Sequence, residues 1–264
     1  MPAEYSRYCR PSDIKQPTVG WSVTSGAANA AYPVGNLGDK RPDKPFKATG
    51  TAVTVRATFS LSTVLEGVVL PPQHNLEGAS VSITSATGLN LPITIPLNTG
   101  GQSNMAILDF KSALLAQRDS TQFNLVITGG LLGNIAIGEV LLIGDGGWRN
   151  LKWIWGLKWK PRRLVVTHST FGAAHLTYNK RIRIREGRGL VKLKTEEAAL
   201  RVLEEEAQGE VNPWLLVSEP YTSPPQGYYG KFAPGSFEWS PKSIGSTEIP
   251  IEFHELSPGA PLFP

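Results

Sequence analysis

Val64-Leu-Glu-Gly-Val-Val-Leu-Pro-Pro-Gln-His-Asn-Leu-Glu-Gly-Ala-Ser-Val-Ser-Ile83 decides how this chain is read. Val64, Val68, Val69 and Leu70 are strand formers, and Pro71-Pro72 cannot continue a hydrogen-bonded ladder. Val81 and Ile83 then resume a period of two. The stretch therefore reads as a strand, a tight polar connection and a second strand.

Working outward, the pattern stays β. Val53, Val55, Ala57, Phe59 and Leu61 fall on one face of a strand over Thr51–Leu61, and a second strand runs through Val64–Leu70. Further strands are expected at Ala79–Thr84, Leu91–Ile95, Met105–Phe110 and Phe123–Thr128. Gly133–Gly144 reads as one buried strand bounded by glycines, and Lys111–Gln117 could make a turn or two of helix. Residues 1–50, rich in Pro, Gly, Ala, Asn and Ser, are expected to be extended or looped. The 264-residue chain carries 27 Gly and 21 Pro, a turn-rich composition suited to many short strands. An apolar fraction of 41% with seven Trp can fill cores.

Gly144-Asp-Gly-Gly147 is a natural boundary, and we expect a domain at 1–145 and another at 146–264. After it the charge balance changes: from Gly146 to Arg185 there is no Asp or Glu, while ten Lys and Arg are interleaved with Trp148, Trp153, Trp155 and Trp159. Thr195 can cap a helix over 195–208, with Glu196 and Glu197 in its first turn and Gly209 beyond its end. Ala199, Leu200, Leu203 and Ala207 line one face of it. Strands at Lys180–Arg185, Leu190–Leu193, Pro213–Val217 and Ile249–Phe253 would flank it.

Motifs for chemistry are sparse. There is no phosphate-binding loop, dinucleotide fingerprint or nucleophile elbow. His74, His168, His175 and His254 lack metal-ligand spacing; the lone Cys9 excludes an intrachain disulfide and argues against zinc. The expectation is a non-enzyme without a cofactor or bound metal. Asp39 and Asp43, with Lys40 and Arg41 between them, read as a salt-bridged loop or as two carboxylates of a calcium site, which needs six or more oxygens. His74 and Asn75 read as a structural turn or as polar anchors for a sugar, with Trp21, Tyr32 and Phe46 as stacking platforms. The basic, Trp-rich stretch reads as amphipathic strands, in which Arg181, Arg183 and Arg185 oppose Ile182 and Ile184, or as a nucleic-acid surface; strands are the preferred reading. No apolar run approaches a membrane span, and the N-terminus lacks a signal-peptide core, so folding in a cytoplasm is expected.

Asn36-Leu-Gly-Asp-Lys-Arg-Pro-Asp-Lys-Pro-Phe-Lys-Ala-Thr-Gly50 followed by Val64–Ile83, with its His-Asn-Leu segment, resembles the galactose-binding-like (discoidin-type) β-sandwich of long-tailed (siphovirus-type) bacteriophage tail-tip proteins. Further on, a basic strand precedes the 195–208 helix, Gly209–Val217, Glu219-Pro220, Tyr229–Phe232 and Ile249–Leu256. This order is similar to the tail-tube-like fold, a sandwich or half-barrel with one helix. The ring-type domain comes second here, whereas it comes first in the common distal-tail arrangement. The resemblance implies a structural tail-tip or baseplate protein of the virion, assembling with itself in a ring and with tube, hub and tape-measure neighbours. It implies subunit contacts through Trp148, Trp153, Trp155, Trp159, Arg181, Arg183, Arg185, Tyr228, Tyr229 and Phe232, with the Pro220–Phe232 arm reaching a neighbour. The alternative is a carbohydrate-binding module recognising a host surface glycan.

Overall fold

The computed structural model describes residues 6–41, 44–71, 73–95, 105–110, 113–129, 133–151, 160–169, 175–191, 201, 204–205, 214–219, 226–232, 240–243 and 246–255. The chain is mainly β, and every strand pairing among these residues is antiparallel.

The first half is organised by one strand of 25 residues, β4 (Phe46–Leu70). Its opening stretch pairs with β3 (Gly20–Ala28) on one side, and with β8 (Asp119–Thr128) and β9 (Ile135–Ile137) on the other. β8 carries β5 (Ser80–Ser85), which carries β6 (Asn90–Thr94). Between Thr58 and Thr63 the register against β8 slips. Beyond the slip, β4 pairs with β7 (Ala106–Asp109) and β10 (Leu141–Gly144), and β10 holds the two-residue β2 (Ile14–Lys15). β4 thus passes from one layer of a sandwich into the other.

The slip explains where the alternation ends. Val53, Val55, Ala57 and Phe59 are all buried, whereas Leu61, in the slipped segment, is 77% exposed. It explains the unbroken apolar run that follows as well. Val68 and Leu70 face the main core with Leu142, while Val69 faces a second core with Leu141 and Ile143. A strand buried on both faces needs apolar residues at every position. The expected buried strand over 133–144 is two strands, β9 and β10, separated by Gly138-Glu139-Val140, because each pairs with a different part of β4. α1 (Leu115–Arg118) is a single turn.

A second sheet runs β11 (Arg149–Leu151), β1 (Ser6–Cys9), β14 (Trp214–Glu219), β15 (Gln226–Phe232), β17 (Ser246–Glu255), β13 (His175–Val191), β12 (Lys160–Ser169), with β16 (Ser240–Ser243) also on β17. The sheets change over between Gly144 and Arg149, but division by sheet differs from division by sequence: Ser6–Cys9, near the N-terminus, lies in the second sheet. The segments expected at 180–185 and 190–193 belong, over the described residues, to one strand, β13. Of the 195–208 helix, only Arg201, Glu204 and Glu205 are described, and they are helical. Cys9, Leu215 and Tyr229 pack onto Ile14, Val69, Met105, Leu141 and Ile143, so the second sheet shares a core with the sandwich. Trp214, Phe232 and Phe253 make edge-on ring contacts at 5.4 and 5.2 Å between centroids.

Candidate functional site

The connection after β4 is polar in sequence and buried in space. His74 and Asn75 are 0% and 3% exposed, and Gln73 is buried with them. His74 bridges to Ile137, and its Nδ1 accepts the Leu76 amide at 3.2 Å. Asn75 works as a staple: its Oδ1 accepts the Ala136 amide at 2.8 Å, and its Nδ2 donates to the Asn134 carbonyl at 2.9 Å. The reason is topological. β8 lies between β4 and β5, so the link must cross over, and it does so against Asn134–Ile137, where buried backbone groups need partners. His74 and Asn75 are therefore the floor of the loop end rather than groups on its surface, in keeping with the structural-turn reading of the pair and not with the sugar-anchor one.

Phe46 is corrected as a stacking platform: it is 0% exposed and belongs to the main core. Trp21 is half-buried against that core, and the Val34–Gly38 turn folds over it so closely that a Cβ on Gly38 would stand 2.8 Å from its Nε1. Tyr32 alone among the expected platforms stands at the loop end. Its amide donates to Asn29 O at 3.0 Å, and its carbonyl accepts the Lys47 amide at 3.3 Å. The Lys47 ammonium lies 4.3 Å from its ring centre, a cation–π geometry. Lys47 is paired with Ala136, the residue that Asn75 holds. The fold thus brings half-buried Asn29, Tyr32 and Lys47 and exposed Asn134 to one end, above the His74–Asn75 floor. Lys47 and Asn134 carry no signal in the sequence; Lys47 meets Tyr32 through its amide and ammonium, and the β4–β9 pairing brings Asn134 beside Lys47.

Beside this end lies Glu139, 1% exposed. Its Oε1 accepts the Lys40 amide at 3.3 Å, and Lys40 takes the left-handed φ of 60° that lets the loop turn toward it. Burial, then the neighbouring Asp39 carboxylate, pushes the Glu139 pKa up to about 9, against the lowering effect of the Lys40 and Arg41 amides. Burial, with Glu139 and Asp39, holds the Tyr229 hydroxyl well above the ordinary phenol range.

Of the two carboxylates in the calcium reading, only Asp39 is described. Asp39 accepts the Arg41 amide at 2.8 Å in a local turn, Asp43 lies outside the described residues, and Glu139 is met by N–H groups. Among the described residues no three His, Cys, Asp or Glu could hold a metal ion.

The expected subunit contacts divide. Trp153, Trp155 and Trp159 lie outside the described residues. Arg181, Arg183, Arg185 and Tyr228 are placed on β13 and β15 by their backbones alone. The register puts Arg185 in one row with Phe253 and Phe232, the latter two packed ring against ring. Tyr229 is 2% exposed within the single chain, so it cannot serve a neighbouring subunit. The reason is that Gln226–Phe232 is an inner strand, between β14 and β17, rather than a free arm. Phe232 is engaged with Trp214 and Phe253.

Trp148 sits half-buried at the join of the sheets, with the Arg7 guanidinium 5.9 Å from its ring centre. Arg7 in turn donates to Asp109 at 2.8 Å. Asp13 accepts from Arg10 at 2.8 Å and from Arg149 at 3.3 Å. Burial alone would raise its pKa, but the bonds and charges of those two arginines take it below the ordinary carboxylate range. Burial, with Asp13 nearby, raises the Cys9 thiol far above its usual value, so it is not a thiolate nucleophile.

No family model and no curated protein matches the chain. Solved structures do. The family 32 carbohydrate-binding module of Clostridium perfringens NanJ, in complex with galactose, matches with 13% identity and a TM-score of 0.39, over 52% of this chain and 98% of that one. A Streptococcus pneumoniae fucose-binding module matches with 10% identity and a TM-score of 0.35, over 49% and 94%. The lectin domain of lectinolysin, complexed with Lewis B antigen, matches with 9% identity and a TM-score of 0.40, over 52% and 99%. None of these is a phage tail protein. The chain is similar, over about half its length, to whole carbohydrate-binding and lectin domains of the β-sandwich type.

Proposed function

We propose that this protein is a non-catalytic recognition protein whose sandwich holds a carbohydrate at the loop end bearing Tyr32. The observation that carries the reading is the buried polar floor. Asn75, His74 and the Glu139–Lys40 contact fix the loops from beneath, so that Tyr32, Lys47, Asn29 and Asn134 are presented on a rigid base. Sugar binding draws on a partly exposed aromatic ring beside polar donors and acceptors, and a fixed loop loses little entropy on binding. Glycan-array screening of the full chain, followed by calorimetry on any hit, tests it. Tyr32→Ala should weaken the hit about tenfold, roughly 1.4 kcal/mol. An array without hits, or a hit indifferent to Tyr32 and Lys47, would remove the reading.

A second reading, a structural tail-tip protein working through subunit contacts, is favoured by a different observation. The sandwich is not tethered to the second sheet by a linker; the two share an apolar core and the Arg7–Asp109 ion pair. Such fusion suits a part built into an assembly. Mass measurement of the assembled particle would test it, and a monomer at high concentration with no partner in the particle would count against it.

A further inference from the structure

We propose that the outer edge of β12 is a docking site at which an acidic, extended segment of a partner protein adds to the second sheet as a further strand. The inference rests on the assembly reading and is independent of glycan binding.

Three observations converge. First, among the described residues β12 has a hydrogen-bonded neighbour on one side only, β13. An edge of this kind presents alternate N–H and C=O groups outward, a template for another strand.

Second, among the described residues, which on β17 end at Glu255, the β12–β13 hairpin outruns its sheet. β17 pairs with β13 only from Arg183 to Val191, whereas Leu164–Ser169 pairs with Lys180–His175 beyond that point. These six pairs extend about 20 Å at ~3.3 Å per residue. Two strands alone are marginal in water, and a third strand is what stabilises them. The slip between Arg163 and Leu164 marks the start of the projecting part, and a bulge there increases the local twist and bends the strand.

Third, the charge selects the occupant. β12 carries Lys160, Arg162 and Arg163 and no acid, and Arg163 lies directly opposite Arg183. Like charges opposed across a ladder are unfavourable. On its other side β13 already has an acidic strand: β17 places Glu255 opposite Arg183 and Glu248 opposite Leu190. Across from β12, β13 offers one acid, Glu186 opposite Lys160; among the described residues no strand lies on the outer side, and an acidic strand there supplies partners for the others. A second copy of β12 would bring three more cations to the same edge.

The test uses the full chain and a fluorescein-labelled octapeptide alternating glutamate with valine, followed by anisotropy. Controls are the lysine–valine octapeptide and a single-stranded oligonucleotide of equal length. The acidic peptide should bind, and should weaken at least about tenfold when salt rises from about 0.05 to 0.5 M. The lysine peptide should not bind. Consecutive residues of a strand point their N–H groups to opposite sides. One of Val166→Pro and Thr167→Pro therefore removes an outward N–H and leaves the β12–β13 bonds intact; that variant should melt as the parent does and lose the peptide. Arg162→Glu with Arg163→Glu should also lose it. No binding by the acidic peptide, equal binding of both peptides, tighter binding of the oligonucleotide, or peptide affinity unchanged in every folded proline variant would each overturn the proposal.

Discussion

Replacing Asn75 by alanine removes the staple that ties the β4–β5 connection to β9. Its side-chain bonds are lost: from the Ala136 amide at 2.8 Å, to the Asn134 carbonyl at 2.9 Å, and a longer one shared with Asn134 Oδ1 at 3.4 Å. The Ala136 amide and the side chain of Asn75 are buried, so water cannot replace the first bond without opening the loop. A buried donor left unpaired costs about 1–3 kcal/mol, and the second, more accessible bond contributes about 0.5–1.5 kcal/mol. The backbone bond from Asn75 N to Ala136 O, at 3.1 Å, should survive and limit the damage. Asn75→Ala should therefore cost about 2–4 kcal/mol, a large share of the roughly 5–15 kcal/mol that holds a domain. Asn75→Asp should cost more, since it turns a carboxylate oxygen toward the Asn134 carbonyl. Urea unfolding followed by tryptophan fluorescence measures both, with the midpoint falling at unchanged slope. A loss below about 0.5 kcal/mol for Asn75→Ala would refute the claim that this residue fixes the loop floor.

Three further outcomes are expected. Glu139 holds a proton in the folded chain up to about pH 9 that the unfolded chain releases near 4.5, so its contribution to stability should be complete below that lower value and decline as pH rises through the window. Glu139→Gln should flatten this decline, and parallel pH–melting curves for parent and variant would contradict it. Gly67→Ala would place a Cβ 2.9 Å from the Leu108 carbonyl and 3.3 Å from Trp148 Nε1 and should cost about 1–3 kcal/mol, whereas Gly144→Ala meets the flexible Lys15 side chain and should cost less; equal melting of the two would be inconsistent with this packing. Asp109→Ala leaves the 6% exposed Arg7 side chain without its carboxylate and should cost about 3 kcal/mol, checked by the same urea titration, with no change arguing against a fused join.

Much of the β architecture was legible because periodicity of two survives wherever one face is buried, as at Val53, Val55, Ala57 and Phe59. It failed at Leu61, where β4 slips between layers, and at Val68–Leu70, where both faces are buried and alternation disappears. The placement of Ser6–Cys9 in the second sheet is carried by long-range pairing with Leu215–Val217, and no local signal encodes it. The candidate site was harder to read. His74 and Asn75 stood out as polar residues in a connection, but polarity alone does not separate a ligand contact from a buried hydrogen-bonded floor. Phe46 has the composition of a stacking platform and the burial of a core residue. Tyr229 and Phe232 read as an arm because Pro220–Pro225 breaks the strand pattern before them, yet their own segment is an inner strand.

The most direct test of the central claim is a two-dimensional amide NMR titration of the full chain with galactosides and fucosides. Shifts that saturate and concentrate on Asn29–Tyr32, Lys47 and Asn134, with the His74–Asn75 amides moving little, are the expected result. Saturating shifts that map elsewhere on the sandwich, or none at millimolar sugar, would contradict the assignment of this loop end as a carbohydrate site.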